Sequence, residues 1–281
     1  MWIAGEATEM HHIDFRAGRL PGRAVLAVQG PDAGHFLQNL LTADVEHLEP
    51  GAATYAALLS PQGKILFDML VVRAEDGFRI DCAGSMAAAL MQRLSMYKLR
   101  ARVVIARRDD LAVGVSPVEA AGFHRDPRAP EIGWRGFVPA ESPEAEAYDA
   151  ARIALGLADS EADLGSGEFF PHEANLDQLG GVNFRKGCYV GQEVVSRMEH
   201  RGTARSRILP VTLEAEAPPK GTEIRAGEKQ VGTLLSSSGR AALALIRLDR
   251  LAEAAAPLVA AGAGLRVRKP RWALYDVPGA A

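Results

Sequence analysis

The sequence predicts an α+β body followed by a small all-β unit with the look of a barrel. Three observations carry this reading. Hairpin signals are interleaved with separate helical stretches over the first 200 residues. The texture changes after about Gly202 to short apolar or alternating runs between turn residues. A chain of 281 residues also has room for about two domains at roughly 150 residues each. The boundary is placed near 202–206, giving a body of residues 1–204 and a C-terminal unit of residues 205–281.

Residues 24–28 form a short apolar run closed by Gly30-Pro31, a strand and then a turn. Asp32 stands where it could cap a helix whose apolar face carries Phe36, Leu37, Leu40 and Leu41. Residues 53–59 and 64–72 flank Ser60-Pro61-Gln62-Gly63, which reads as a hairpin. A turn at Glu75-Asp76-Gly77 leads into a strand at 78–82. Ser85 then opens a helix with Met86, Leu90, Leu94 and Tyr97 at helical spacing. Residues 103–105 and 111–115 are two further strands. Hairpins mixed with isolated helices, rather than strict alternation, define the α+β class. Residues 122–143 are rich in Pro, Gly and Arg and read as loop. Ser142-Pro143-Glu144 starts a helix that ends near Gly156. Residues 159–172 are acidic and aperiodic, as functional or disordered loops are. Beyond the boundary, runs at 207–213, 222–225, 230–235, 241–246 and 265–268 are separated by Pro218-Pro219, Gly227, Gly239 and the 257–264 segment. Such spacing reads as a small sheet or barrel.

Composition excludes several classes. At 48% hydrophobic and 24% charged residues the chain is neither disordered nor fibrous. A formal net charge of −3 gives no global attraction for nucleic acid or an anionic membrane, so neither is expected as a partner. The two cysteines, Cys82 and Cys188, form no CxxC; a disulfide scaffold, an all-cysteine zinc site and a self-ligated iron–sulfur cluster are all disfavoured. The His residues show no HExxH, His11-His12 stands alone, and no metal site is expected. GxGxxG, Walker and GxSxG motifs are absent. Around Glu6, Glu9 and Asp14 there is no apolar h-region, and no run approaches the roughly 20 apolar residues of a membrane span. A cytoplasmic protein is the expectation.

Two positions stand out chemically. Cys188 is bracketed by Gly187 and Gly191, precedes a helix beginning at Gln192, and has Lys186 two residues away. A helix N-terminus and a nearby ammonium both lower a thiol pKa and favour the thiolate; the plain alternative is a small buried cysteine in a glycine-shaped loop. Asp68 interrupts the run Ile65-Leu66-Phe67-Asp68-Met69-Leu70-Val71-Val72, apolar on both strand faces. A carboxylate there must be paired, protonated or used. It is either a structural hydrogen-bonding group or a site acid for a heterocycle's amide–amine edge. Asp81 fits simple alternation and reads as solvated. Tyr55, on the partner strand of the same hairpin, reads as a core or edge aromatic. Arg197, Arg201, Arg205 and Arg207, with His200, form either a solvated basic face or a seat for an anionic tail.

The run Lys186-Gly187-Cys188-Tyr189-Val190-Gly191-Gln192-Glu193 resembles the signature of the folate-binding YgfZ family, relatives of the glycine-cleavage T-protein (aminomethyltransferase) that serve iron–sulfur protein maturation. The resemblance extends through residues 170–176, 180–184, Arg197 and Arg201-Gly202, and, near the N-terminus, through Gly30-Pro31-Asp32, residues 36–38, 41–45 and 63–68, with Asp126-Pro127-Arg128. It implies a folate-binding, T-protein-like α+β body with a C-terminal small β-barrel. By position it implies a cofactor site for tetrahydrofolate, or a one-carbon-substituted folate, at Asp68, Tyr55, Arg197 and Asn175. Asp68, Lys186 and Cys188 are the implied catalytic residues, the thiol facing the same cleft or its mouth. The partners implied are folate and iron–sulfur client or assembly proteins. One departure is plain: the second pterin-binding Glu of T-proteins has no counterpart between Asp126 and Val138. The leading expectation is therefore a tetrahydrofolate-binding maturation factor. A folate-dependent aminomethyl- or methyltransferase is the enzymatic alternative, and an RNA- or protein-binding module the non-catalytic one.

Overall fold

The computed structural model describes residues 14–202 and 204–280. The body contains β1 (Gly18–Arg19), β2 (Arg23–Gln29), α1 (Ala33–Gln38), β3 (Ala53–Leu59), β4 (Ile65–Ala74), β5 (Gly77–Ala83), α2 (Ala87–Lys98), β6 (Val104–Arg107), β7 (Leu111–Ser116), β8 (His124–Arg125), β9 (Trp134–Pro139), α3 (Tyr148–Leu155) and α4 (Gln192–Arg201). A five-stranded antiparallel sheet runs β3-β4-β5-β2-β6, and a four-stranded one runs β1-β7-β9-β8. The C-terminal unit has β10 (Ser206–Leu213), β11 (Glu223–Ala226), β12 (Lys229–Ser238), β13 (Ala241–Arg247), α5 (Leu248–Ala252), β14 (Leu258–Ala260) and β15 (Ala263–Val267). Its strands close into a barrel in the order β10-β13-β12-β11-β14-β15. No described helix is long and apolar enough to cross a membrane.

The doubly apolar run in β4 is covered on both faces. Phe67, Met69 and Val71 pack with Leu37 of α1 and with Leu90 and Leu94 of α2. Leu70, on the opposite face, packs with Tyr55, Val113, Tyr148 and Ile153. The period-2 geometry of a strand puts Asp68 on the same face as Leu70. In register, Tyr55 opposes Leu70 and Ala57 opposes Asp68. The carboxyl therefore points at the layer built from the smaller sheet and α3.

Four local expectations are corrected. Residues 122–143 hold β8 and β9 rather than loop alone, because the buried Arg135 and Gly136 broke the apolar pattern of β9. The helix expected from Ser142 starts at Tyr148. Before it the chain runs alongside β1, with Arg19 N donating to Pro143 O (2.8 Å) and Ala145 N to Arg19 O (2.9 Å). Only glycine permits that approach: a Cβ on Gly18 would lie 2.5 Å from Ala145 N. Asp32 precedes α1 without capping it; its carboxylate holds Arg102 instead. The 257–264 segment contributes β14 and the start of β15.

Body and barrel meet through buried polar pairs. Arg152 of α3 donates to Asp163 Oδ2 (2.9 Å) and to Ser236 Oγ (3.3 Å), while Asp163 Oδ1 accepts from Ser236 N (2.8 Å). Ser236 lies where the β12–β13 register shifts, which frees its amide from the barrel ladder. Removing one partner of a buried ion pair strands the other charge. Arg152→Met is expected to lower unfolding free energy by about 3–5 kcal/mol in urea titration. Asp149→Ala, which deletes an exposed partner of the same arginine, should change it by under about 1 kcal/mol.

Candidate functional site

A cavity of about 290 Å³ lies on the Asp68 face of β4, walled by Arg23, Asp68, Arg128, Arg135, Tyr148 and Ser160, with Ser238 of the barrel at its edge. Its volume is at the small end of ligand-sized pockets. Asp68 is 6% exposed, and its Oδ2 accepts from the Tyr55 hydroxyl at 3.0 Å. Burial pushes the Asp68 carboxyl above its ordinary value, against the pull of Arg23 and the Ser160 hydroxyl. Burial, then Asp68, likewise raises the Tyr55 phenol, so the pair is held by a neutral hydroxyl donating to the acid.

The neighbouring charges are committed to one another. Arg23 Nε and Arg135 Nε grip the two oxygens of Asp81 at 2.7 and 2.6 Å. Arg128 binds both oxygens of Asp126 (3.0 and 2.7 Å), and Arg128 and Arg135 share the Tyr148 hydroxyl. Arg23 also donates to Ser160 Oγ at 3.1 Å. Burial alone would lower the Arg23 guanidinium, but Asp81, Asp159 and Asp68 hold it above its ordinary value. The expectation that Asp81 is solvated is thus overturned: it is 2% exposed and bridges two arginines. Among the described acids around this cavity, Asp68 has no guanidinium within salt-bridge distance, whereas Asp81, Asp126 and Asp159 each do. The wall also includes Tyr148, Asp149 and Ala150, the first turn of α3, which has no side-chain cap. An acceptor on one side and uncapped amide donors on another suit a neutral heterocycle bearing both amine and carbonyl groups.

The other candidate residues fall elsewhere. Cys188 is exposed, three residues before Gly191, the N-cap of α4, and is not part of the cavity wall. The thiol and Asp68 therefore do not share one cleft. Lys186 Nζ donates to three backbone carbonyls, of Gln38 (2.6 Å), Leu41 (2.7 Å) and Ala43 (2.8 Å). Burial lowers its ammonium to about 8, with Asp44 and Glu46 opposing. Arg197 pairs with Glu193 one helical turn away, outside the cavity, so it does not hold a ligand tail there. Asn175 is buried at the barrel seam, its Nδ2 donating to Ile208 O (2.7 Å) and its Oδ1 accepting from the Tyr275 hydroxyl (2.8 Å), and it is not part of the cavity wall. Arg207, expected in a basic face, is buried against Asp177. His11 and His12 lie outside the described residues.

His172, Asp177 and Glu199 bring one ligand-type atom each within 4.8 Å of one another. Arg207 occupies both Asp177 oxygens, and the buried His172 Nδ1 has no acceptor that would orient a metal-bound imidazole. The trio is held by the Arg207–Asp177 pair and a His172–Glu199 hydrogen bond. Sequence reasoning missed Arg23, Arg128, Arg135, Tyr148 and Ser160 as cavity residues. The available signal was two acids, Asp68 and Asp81, in adjacent strands too apolar to leave them unpartnered.

Comparison with known proteins follows this geometry. Residues 23–115 match the GCVT N-terminal domain, and residues 205–275 match the CAF17 C-terminal beta-barrel domain. The chain is 32% identical to the human mitochondrial iron–sulfur cluster assembly factor IBA57 over 276 residues, covering 83% of this chain and 78% of the relative. The mouse counterpart is 31% identical with the same coverages, and a homologue from Pyricularia oryzae is 31% identical over 85% of this chain and 73% of its own. The glycine cleavage system aminomethyltransferase T from Bartonella henselae shares the fold: TM-score 0.73 at 16% identity, with 96% of this chain and 89% of that chain superposed. The architecture is a T-protein-like body with a closed six-stranded barrel. The cytoplasmic expectation is overturned, since these relatives are named as mitochondrial. Lack of a secretory pattern bears on secretion and does not discriminate between aqueous compartments.

A carboxyl raised by burial binds its proton more tightly folded than unfolded. Its ionisation therefore becomes a cost as pH rises from the unfolded value through the folded one. Asp68→Asn removes that cost. Its thermal midpoint should exceed the native one at pH 7. The gain should vanish below about pH 4, where both states carry the proton. A loss of stability at pH 7 would show that Asp68 is ionised and paired.

Proposed function

We propose, from the premise that the chain belongs to the family of the iron–sulfur cluster assembly factor IBA57, that it serves iron–sulfur protein maturation and binds a reduced folate in the Asp68 cavity. The observation that carries the folate reading is the buried Tyr55–Asp68 pair on a cavity wall where the neighbouring acids are already neutralised. The residues fit the heterocycle end of the cofactor: Asp68 offers an acceptor to an amine or amide edge, and the first turn of α3 offers donors to a ring carbonyl. A bound tetrahydrofolate would supply a one-carbon carrier or a reducing pterin. The glutamate tail finds no uncommitted guanidinium in the wall, since Arg23, Arg128 and Arg135 are held by acids. The run from Lys186 to Glu193, which resembles the YgfZ signature, supports the folate reading.

The working thiol is Cys188. Cys82 is buried, and burial pushes its thiol up to about 12, where it is inert. Clusters usually take four protein ligands, so a single exposed cysteine can act on one only together with a client or assembly protein. That arrangement fits a factor that handles clusters at a protein–protein encounter.

Two experiments separate the parts of this reading. Calorimetry with tetrahydrofolate should show binding that Asp68→Asn weakens by roughly tenfold or more, the scale of a hydrogen bond to a charged or buried group; an unchanged isotherm removes Asp68 from the site. Cys188→Ser should fail to restore iron–sulfur enzyme activity in cells lacking the factor, whereas Cys82→Ser restores it. Full restoration by Cys188→Ser would overturn the thiol's role.

A further inference from the structure

The loop from Asn183 to Gly191 is anchored at both ends and open in the middle. At its start, Asn183 N donates to Thr42 O (2.9 Å), and Asn183 Oδ1 accepts from the amides of Arg185 (2.8 Å) and Lys186 (3.0 Å). Thr42 in turn accepts from Ala57 N at its hydroxyl (2.8 Å), tying this turn to β3. At the loop's end Gly191 has φ +81°, and a Cβ there would lie 2.6 Å from Ser60 O in the β3–β4 turn. Between these ends, nothing stands within 4 Å of a Cβ on Gly187, and Cys188 is exposed.

Lys186 decides how that open stretch leaves the body. Its three carbonyl partners belong to the last residue of α1 and the turn after it, where helix C-terminal acceptors lack intrahelical donors. An ammonium has three hydrogens and no acceptor, and here each hydrogen has a backbone oxygen. None remains for the Cys188 sulfur. The remaining neighbours are the Tyr189 ring, 5.4 Å from Nζ, and the carboxylates of Asp44 and Glu46.

We infer that Lys186 is a positioning residue, whose ammonium clamps the cysteine loop onto the end of α1 and so fixes where Cys188 is presented. It does not activate the thiol by its charge. Arginine cannot replace it: a planar fork does not converge on three oxygens around one nitrogen. The inference rests on Cys188 being the working thiol only for its functional consequence; the clamp itself is measured without it.

Two measurements test the clamp. In the unmodified protein, acetylation by an N-hydroxysuccinimide ester, with each rate divided by that lysine's free-amine fraction, should modify Lys186 at least about tenfold more slowly than the exposed Lys220, Lys229 and Lys269, because its nitrogen is held by three backbone carbonyls. Equal rates would overturn the clamp, and this arm holds even if variants fail to fold. In Lys186→Arg and Lys186→Met alike, amides of residues 183–190 should exchange hydrogen roughly tenfold faster, with the same apparent pKa for Cys188 alkylation in both. If Lys186→Arg exchanges like the native protein and only Lys186→Met raises the Cys188 pKa, charge activation is right and the positioning role is lost. A Cys188→Ser protein that matures clients normally would dismiss the thiol and leave the exchange and acetylation results standing.

Discussion

The body depends on keeping ionised groups paired where water is excluded. Asp81 and Asp126 lie between the two sheets, and each is tolerable there only because a guanidinium meets it with good geometry. The arginines come from strands and loops far apart in the chain: Arg23 opens β2, Arg128 follows β8 and Arg135 sits in β9. All three line the cavity. Asp68 is the exception in this lattice. It is held by hydroxyls, the Tyr55 phenol first, rather than by a cation, and it faces the cavity.

That exception was visible in the sequence, because a carboxylate inside an apolar two-faced strand violates the pattern around it. The barrel was legible from turn spacing, and the hairpin of β3 and β4 from its Pro/Gly turn. The arginine lattice was not legible. Alternation assigned Asp81 to solvent, and a segment rich in Pro, Gly and Arg was taken for loop although it holds β9. In both places the apolar period is broken by charges that are buried in pairs, and pairing between distant positions leaves no trace in local periodicity. Family likeness had its own limit: motif membership singled out Asn175 and Arg197, but the former stitches body to barrel and the latter sits on a solvated helix turn.

Separation of Asp68 from Cys188 divides the molecule's chemistry between an interior cleft and an exposed loop. Cys188 is exposed and lies outside the wall of the Asp68 cavity. The hairpin of β3 and β4 touches both: it carries Tyr55 and Asp68 on its strands and, at its tip, the Ser60–Gly63 turn against which Gly191 packs.

The seam at Ser236 has a consequence for how this architecture can diverge. The irregularity in β12 exposes one amide and one hydroxyl that α3 and Asp163 require, and Tyr275 answers Asn175 across the same junction. A barrel grafted from a distant homologue would keep its own closure yet leave an aspartate and an asparagine of the host facing the wrong atoms. Chimeras should therefore tolerate exchange of the barrel's outer surface far more readily than replacement of this short serine stretch.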